Sequence, residues 1–559
     1  MKRFLETYPI ASVMMLMFLC LAPVMAMRDF SPGNELRYLS IADEAIANGD
    51  VFAFTNHGLA YADKPPLYFW IIMLCRLIFG SHSMFVLSLF SFIPAMVIIA
   101  VMDKWMCGAR GLFDDRFNSG ERAGAALLLG TSGLFLGMSV FLRMDMLMCM
   151  WIVLALYAFY EERPVAFAVY TFLALFTKGP VGIMAPLLSV LVFLLVTGRR
   201  HELGKWFGWK TWAILAGGCI IWFGGVFLDG GKDYLNNLVV HQTVGRAVNS
   251  FHHKAPWWYY MVCIWEVMAP WCLLTVPAVI ITMVHKGRKA DEPFWAWTAF
   301  ATFVMLSCFS SKIAIYLAPV FPFVAYVFPV EAKRLRGCAW IRAGLVVPAL
   351  LFVVLGLVLM AAGAFFGPLS TMLAGRGVDI SAYDFAGGPL AVIAGALLTA
   401  GGVLGLARSS RQWYESFIPM AVSMLLSIFL ISWMMPSIND FVGYRSLCRE
   451  IPEGTEVYAW KCYRPENVDA YLGRGITIVD PEAITIQDDG TVGDAAEDAG
   501  SLAPAARAHA AAIAISGAVP EDAVLMARHR RFPDGIEGRQ MVIKGDYAVF
   551  LPINSDISK

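Results

Sequence analysis

The sequence predicts an all-α polytopic membrane domain over residues 1–435, followed by a soluble α/β domain over 436–559, and three observations carry that expectation. Hydrophobic residues make up 58% of the 559-residue chain and charged residues only 15%, against about 25% charged in an average soluble protein. Apolar runs long enough to cross a ~30 Å hydrocarbon core as helices recur as far as residue 435. From Pro436 onward they give way to charged residues and short strand-like patterns. Lys and Arg number 43, as do Asp and Glu. Neither a basic excess suited to nucleic acid nor an acidic, disordered tail is present.

In chain order, about thirteen spans are expected, near 9–26, 83–101, 123–140, 147–160, 165–176, 181–196, 212–228, 258–283, 294–310, 313–330, 340–366, 386–407 and 415–435. The first, behind Lys2 and Arg3, resembles a signal peptide. No small-x-small cleavage pattern follows it, so it reads as a retained span.

Basic residues in short loops favour the cytoplasmic side. With the N-terminus cytoplasmic, inner segments hold 20 Lys and Arg, outer loops hold 11, and 12 fall beyond 436, in a domain that an odd number of spans places outside. The inner clusters, such as Arg199-Arg200 and Lys333-Arg334, follow the rule. Among the outer residues, Arg37, Lys64, Arg143, Lys178, Arg246, Lys254 and Lys312 break it beside acids, histidines or aromatics, where function is to be sought.

The first outer loop, 27–82, is patterned. Asn34 is a good N-cap for a helix that buries Leu36, Leu39, Ala42 and Ile46 and stops at Asn48-Gly49. A hairpin of Val51–Phe54 with Leu59–Tyr61 around Asn56-His57-Gly58 is expected next, then an amphipathic, interface-lying stretch from Pro65-Pro66 to Gly80. The second outer loop, 229–257, carries His241, Arg246, His252, His253 and Lys254 ahead of the aromatic belt Trp257-Trp258-Tyr259-Tyr260.

In the soluble part, Glu456–Trp460 and Ile476–Val479 read as strands and Pro465–Ala470 as a helix start. Met541–Ile543 and Ala548–Leu551 read as a hairpin, and 487–512 as an insertion rich in Asp, Gly and Ala. Nine of the eleven cysteines lie in or near spans, and no CxxC occurs. Cys448 and Cys462 remain, as a disulfide or as two thiols. Internal repeats, common in transporters, are not evident.

Four constellations carry chemistry. Asn34-Glu35-Leu36-Arg37-Tyr38 sets an acid and a cation at a helix start, suited to an anionic ligand or simply to a capped, solvated face. In Tyr61-Ala62-Asp63-Lys64-Pro65-Pro66 a lysine is available to a phosphate and an acid to a metal; an ordinary turn is the plainer reading. Arg143-Met144-Asp145 is a charged pair between two spans, either self-satisfied or facing a polar cavity. Thr177-Lys178-Gly179-Pro180, Arg246, His252-His253-Lys254 and Ser310-Ser311-Lys312 with Tyr316 add basic groups on the same outer side, which together suit a phosphate-bearing lipid.

This ordered set resembles the lipid-linked glycosyltransferases of the GT-C superfamily. It looks most like the bacterial 4-amino-4-deoxy-L-arabinose transferases and the protein O-mannosyltransferases, in motifs over about 28–330 and in layout to the end. The resemblance implies transfer of a sugar from a polyprenyl phosphate, usually undecaprenyl phosphate, to an envelope acceptor such as lipid A, another glycan or a protein. Transfer would occur at the outer face of the bacterial inner membrane, with inversion. By position it places Glu35, Arg37 and Tyr38 in the first catalytic motif. Tyr61, Asp63 and Lys64 fall on the motif that meets lipid phosphate and metal, and Asp145 on the second carboxylate. Arg143, Lys178, Arg246, Lys312 and Tyr316 fall near phosphate or acceptor. A divalent metal, zinc by resemblance, would be shared by Asp63 and His253.

One position departs from the family, which usually has Asp where this chain has Asn34. An amide is not a general base, so that role passes to Glu35 or Asp145, is unnecessary, or is lost. A transporter or flippase of polyprenyl-linked substrates, or a silent lipid-phosphate-binding relative, are the alternatives.

Overall fold

The computed structural model describes residues 6–108, 117–239, 255–284, 294–335, 337–376, 380–479 and 518–553, with two short strands at 485–486 and 492–493. The chain forms two compact units. One comprises residues 1–26, 49–55 and 60–433, the other 27–48, 56–59 and 434–559.

The first unit is helical. Among the described residues seven helices are long and apolar enough to cross a membrane, or eight if one bent pair counts as a span. Shorter apolar helices include Met144–Tyr160, Pro164–Lys178 and Pro180–Val196.

Three expected spans are broken. The run 123–140 bends by 72° between Ser119–Gly130 and Gly133–Val140. There the Thr131 and Ser132 hydroxyls donate back to Leu127 and Leu128 carbonyls at 2.6 and 2.7 Å, which competes with the helix ladder. The Gly133 amide leaves the ladder altogether and donates to the Ala269 carbonyl at 2.8 Å. The run 258–283 divides into Tyr259–Val267 and Cys272–Val284, because Pro270 has no N–H to carry the ladder on. Residues 313–330 likewise begin as a 3-10 helix, Ala314–Val320, before the α-helix Phe321–Arg334.

Elsewhere small residues let helices meet closely. A Cβ on Gly356 would lie 2.6 Å from the Gly395 carbonyl, and one on Gly402 would lie 2.5 Å from the Ala349 carbonyl. The Ala339–Ala374 and Pro389–Ala407 helices therefore touch backbone to backbone.

In the first outer loop the helix Glu35–Asn48 forms as expected and stops at Gly49, whose φ of 81° favours glycine. The hairpin forms about the expected turn, with the Tyr61 amide donating to the Phe54 carbonyl at 2.8 Å, but it does not extend back over Val51–Ala53. Its strands are β1 (Thr55–Asn56) and β2 (Leu59–Ala60), turning at His57 and Gly58 with φ of 54° and 75°. The Val51, Phe52 and Ala53 amides are taken instead by Asp229, at 2.9, 2.7 and 2.9 Å. The stretch after the prolines is the helix Leu67–Phe79, ended by left-handed Gly80, with Leu74, Leu77, Ile78 and Phe79 exposed.

The second unit holds a five-stranded sheet. Introducing β3 (Val457–Trp460), β4 (Thr477–Ile478), β5 (Thr485–Ile486), β6 (Val492–Gly493), β7 (Val524–Arg528), β8 (Arg539–Lys544) and β9 (Tyr547–Pro552), the order is β4-β3-β7-β9-β8. β3 is parallel to β4 and β7, while β9 is antiparallel to β7 and β8. β5 and β6 pair separately. Trp460, Leu525, Phe532 and Phe550 form the core on one face. The central β7 was not expected, since its continuous apolar run lacks the alternation that marks a half-exposed strand. Cys448 and Cys462 are free thiols, and burial pushes each up to about 12.

Candidate active site

Asp145 is the centre of the constellation in the helical unit. It sits in the first turn of Met144–Tyr160 and is 1% exposed. A buried carboxylate needs matched cations, and it has two. Lys178 Nζ donates to Oδ1, and Arg143 Nε reaches Oδ2 at 3.3 Å.

Local sequence explains each placement. Lys178 occupies the last turn of Pro164–Lys178, where a cation suits the helix dipole. The next residue, Gly179, takes φ of 105°, a conformation that favours glycine, and so starts a new helix at Pro180. Arg143 is the extended residue just ahead of its helix. The turn is held from the side by Ser91, whose hydroxyl donates to the Phe141 carbonyl at 2.6 Å. The ring of Tyr316 lies 4.9 Å from Lys178 Nζ, a cation–π contact that faces the ammonium from a third direction.

Lys312 packs against its own chain. It is buried, and its ammonium donates to the backbone carbonyls of Phe309 and, at 3.2 Å, Ala255. Its charge caps a chain turn just before the 3-10 helix that carries Tyr316.

Tyr61 is buried edge-on against Phe69. Its carbonyl accepts from the Tyr234 hydroxyl at 2.7 Å, and that same hydroxyl accepts from the Phe54 amide at 3.0 Å. Asp63 and Lys64 are half-buried between Tyr61 and the buried prolines. Asp229 and Tyr234, which fix this loop, were missed by sequence reasoning. Asp229 was the one signal available, a carboxylate at the end of an otherwise apolar run.

The second unit contains the other motif. Glu35 is 1% exposed and forms a two-point ion pair with Arg28, at 2.6 and 2.8 Å, while accepting the Ser31 amide at 2.7 Å. Arg37 Nη2 donates to the Asn34 side-chain oxygen at 2.9 Å, and Tyr38 is buried. Beside them lie groups that the sequence did not single out. Asp29 accepts from the Arg445 amide at 2.9 Å and from the Tyr471 hydroxyl. Asp469 accepts from Ser40 at 2.7 Å and lies 3.7 Å from His57 Nδ1.

Arg246 and His253, with His252, lie outside the described residues. Among the described residues no group of three or more His, Cys, Asp or Glu could hold a metal.

No family model matches the chain. In sequence it is similar to the undecaprenyl phosphate-alpha-4-amino-4-deoxy-L-arabinose arabinosyl transferase of Pseudomonas aeruginosa. Identity is 27% over 320 residues, covering 54% of this chain and 56% of that protein. The protein of the same name from Edwardsiella ictaluri is 26% identical over 320 residues, with the same coverage. The chain thus spans about half the length of the curated relatives it matches. In structure it is similar to ArnT from Cupriavidus metallidurans bound to undecaprenyl phosphate, with TM-score 0.69 and 17% identity over 98% of this chain and 97% of that one. The apo form gives 0.67 over 97% and 96%, at 18% identity. A multi-pass arrangement of apolar helices with a C-terminal sheet is shared nearly end to end with the ArnT structures, so the chain has their fold.

Proposed function

We propose that this chain is a membrane glycosyltransferase that moves a sugar from a polyprenyl phosphate donor, undecaprenyl phosphate in a bacterium, to an amphiphilic envelope acceptor such as lipid A. The observation that carries the reading is Asp145, buried between Lys178 and Arg143 with Tyr316 over the lysine. The names of the relatives, and the undecaprenyl phosphate bound by ArnT from Cupriavidus metallidurans, support the same donor chemistry. In the proposed layout the shorter apolar helices bring the spans to thirteen, the N-terminus is cytoplasmic, and 436–559 is a periplasmic domain of the inner membrane.

The proposed reaction is a single inverting displacement. As the anomeric bond breaks, negative charge grows on the leaving lipid phosphate, and preorganised cations in a water-poor site stabilise that charge most. Lys64 and Arg246 take this role, with Tyr61 as a lining group. Asp145, held between its two cations, orients the acceptor opposite the leaving group. At the first motif Asn34 is an amide and Glu35 turns both its oxygens to Arg28. An acceptor oxygen that is already ionised, as on a phosphate, needs no general base. Glu35 is then a positioning residue, and Lys312 holds the segment that presents Tyr316.

Zinc held by Asp63 and His253 is tested by elemental analysis of the wild type against Asp63→Ala. The function is tested with purified protein, radiolabelled polyprenyl phosphate sugars and lipid A. Transfer is expected, and Asp145→Asn should lower its rate about 100-fold or more. Absence of transfer from every donor in a panel refutes the enzyme. Full activity in Asp145→Asn refutes the site.

A further inference from the structure

Away from that constellation, the turn joining Met144–Tyr160 to Pro164–Lys178 carries a feature that the transfer reaction does not use. A cavity of about 490 Å³ opens beside the start of the second helix, lined by Arg163, Pro164, Val165, Ala166, Val169 and Tyr170. That volume is within the range of ligand-sized sites, about 300–1,000 Å³. Val165 and Val169 are exposed. Tyr170 stacks on Trp151 at 5.8 Å and forms a flat apolar wall. At the mouth, the Arg163 side chain is 70% exposed and only loosely paired with Glu161, at 3.6 Å.

The surroundings are basic. Trp206, buried against Phe159 and Phe167, anchors the 197–210 connection beside this turn, and Lys205 reaches Glu162 at 3.1 Å. Together the two connections carry five cations, Arg163, Arg199, Arg200, Lys205 and Lys210, against Glu161, Glu162 and Glu202. Trp209 and Trp212 then stand exposed at 77% and 49%, ahead of exposed Ile220 and Ile221 on the same helix. Tryptophans in that order mark the membrane–water boundary. By that marker we infer that the guanidinium lies at headgroup level and the apolar cavity at acyl-chain level.

We propose that this groove seats one anionic glycerophospholipid, with an acyl chain along Val165, Val169 and Tyr170 and its phosphate at Arg163. A topological preference for basic loops accounts for the charge, but not for an open apolar groove directly beneath one exposed guanidinium. Charge complementarity selects an anionic headgroup, since a zwitterionic lipid brings its own cation to an already basic mouth.

The test uses the full chain in nanodiscs of equal phosphatidylglycerol and phosphatidylcholine, with retained lipid read by native mass spectrometry. The wild type should retain one phosphatidylglycerol in preference to phosphatidylcholine. Arg163→Gln should lower that preference about fivefold, the weight of one interfacial cation. Val169→Trp should remove retained lipid of either kind by filling the groove. Arg411→Gln, an exposed arginine on another loop paired with Glu415, should leave it unchanged. Equal retention of both lipids by the wild type, an unaltered Arg163→Gln or Val169→Trp, or an equal loss in Arg411→Gln overturns the proposal.

Discussion

Asp145 and Glu35 are both buried carboxylates with cationic partners, and the kind of partnership separates their roles. Arg28 meets both Glu35 oxygens at 2.8 Å or less, and Ser31 adds an amide. Removing one member of such a pair leaves the other charge buried alone, at a cost of about 3–5 kcal/mol. Glu35→Gln should therefore lower the thermal unfolding temperature markedly yet retain transfer in the cold, where enough protein stays folded. Loss of transfer without loss of stability would return Glu35 to a catalytic role. The motifs around Asn34, Glu35 and Asp145 stand out in the sequence because they are short and local. Arg28 was not, since seven residues separate it from Glu35 and it reads as an ordinary charge flanking a span. A second residue-scale expectation concerns Asp469, whose carboxyl burial raises above its usual range, against lowering by the Ser40 hydroxyl and by His57. Asp43 and Glu44 also face this group, Asp43 through its charge and Glu44 by accepting the His57 amide at 2.6 Å. With the native carboxyl holding its proton more tightly than the unfolded chain does, its stabilising contribution is complete below the ordinary value and fades as pH rises through the native one. Measured against Asp469→Asn, the wild type should lose unfolding temperature as pH rises from 4 to 7; a gain over that interval contradicts the assignment.

At the scale of elements, apolar runs placed the helices well and their interruptions poorly. Length and composition distinguish a span from a loop. The 72° bend after Gly130 depends on two hydroxyls and on a carbonyl supplied by Ala269, more than a hundred residues away in sequence. The extent of the first-loop hairpin was likewise limited by Asp229, which collects the amides of Val51, Phe52 and Ala53. Glycines within spans gave no signal of their own, yet Gly395 faces the Gly356 carbonyl at 2.5 Å from a Cβ position. Overpacking a tight contact costs about 1–3 kcal/mol, and more where backbone is the obstacle. Gly395→Leu should thus lower the unfolding temperature, whereas Gly217→Leu, at a helical position with open space, should not. Equal behaviour of the two variants would show that the Ala339–Ala374 and Pro389–Ala407 helices tolerate separation.

For the whole molecule, composition alone indicated a membrane protein with a soluble end, because a low share of charge is a global property that needs no contact to be read. Membership of the second unit could not be read that way. Residues 27–48 fold with 434–559, and the joint is Asp29, 1% exposed, which accepts from the Phe30 amide at 2.8 Å, the Arg445 amide at 2.9 Å and the Tyr471 hydroxyl. Asn439 clasps the same strand of chain, accepting from the Asp29 amide at 2.9 Å and donating to the Met27 carbonyl at 2.7 Å. Burial and the Asp29 charge together push the Tyr471 phenol far above its usual range, so it remains a donor at any physiological pH. Partners separated by more than 400 residues leave no local pattern, and closing so long a loop is repaid only once many contacts form together. The two segments should consequently be one cooperative unit. In Asp29→Ala, hydrogen exchange should accelerate across both 35–48 and 445–472, with Met84–Gly108 as the unchanged reference. Acceleration confined to the residues flanking position 29 would mean that the segments are stable apart and that Asp29 only decorates their junction.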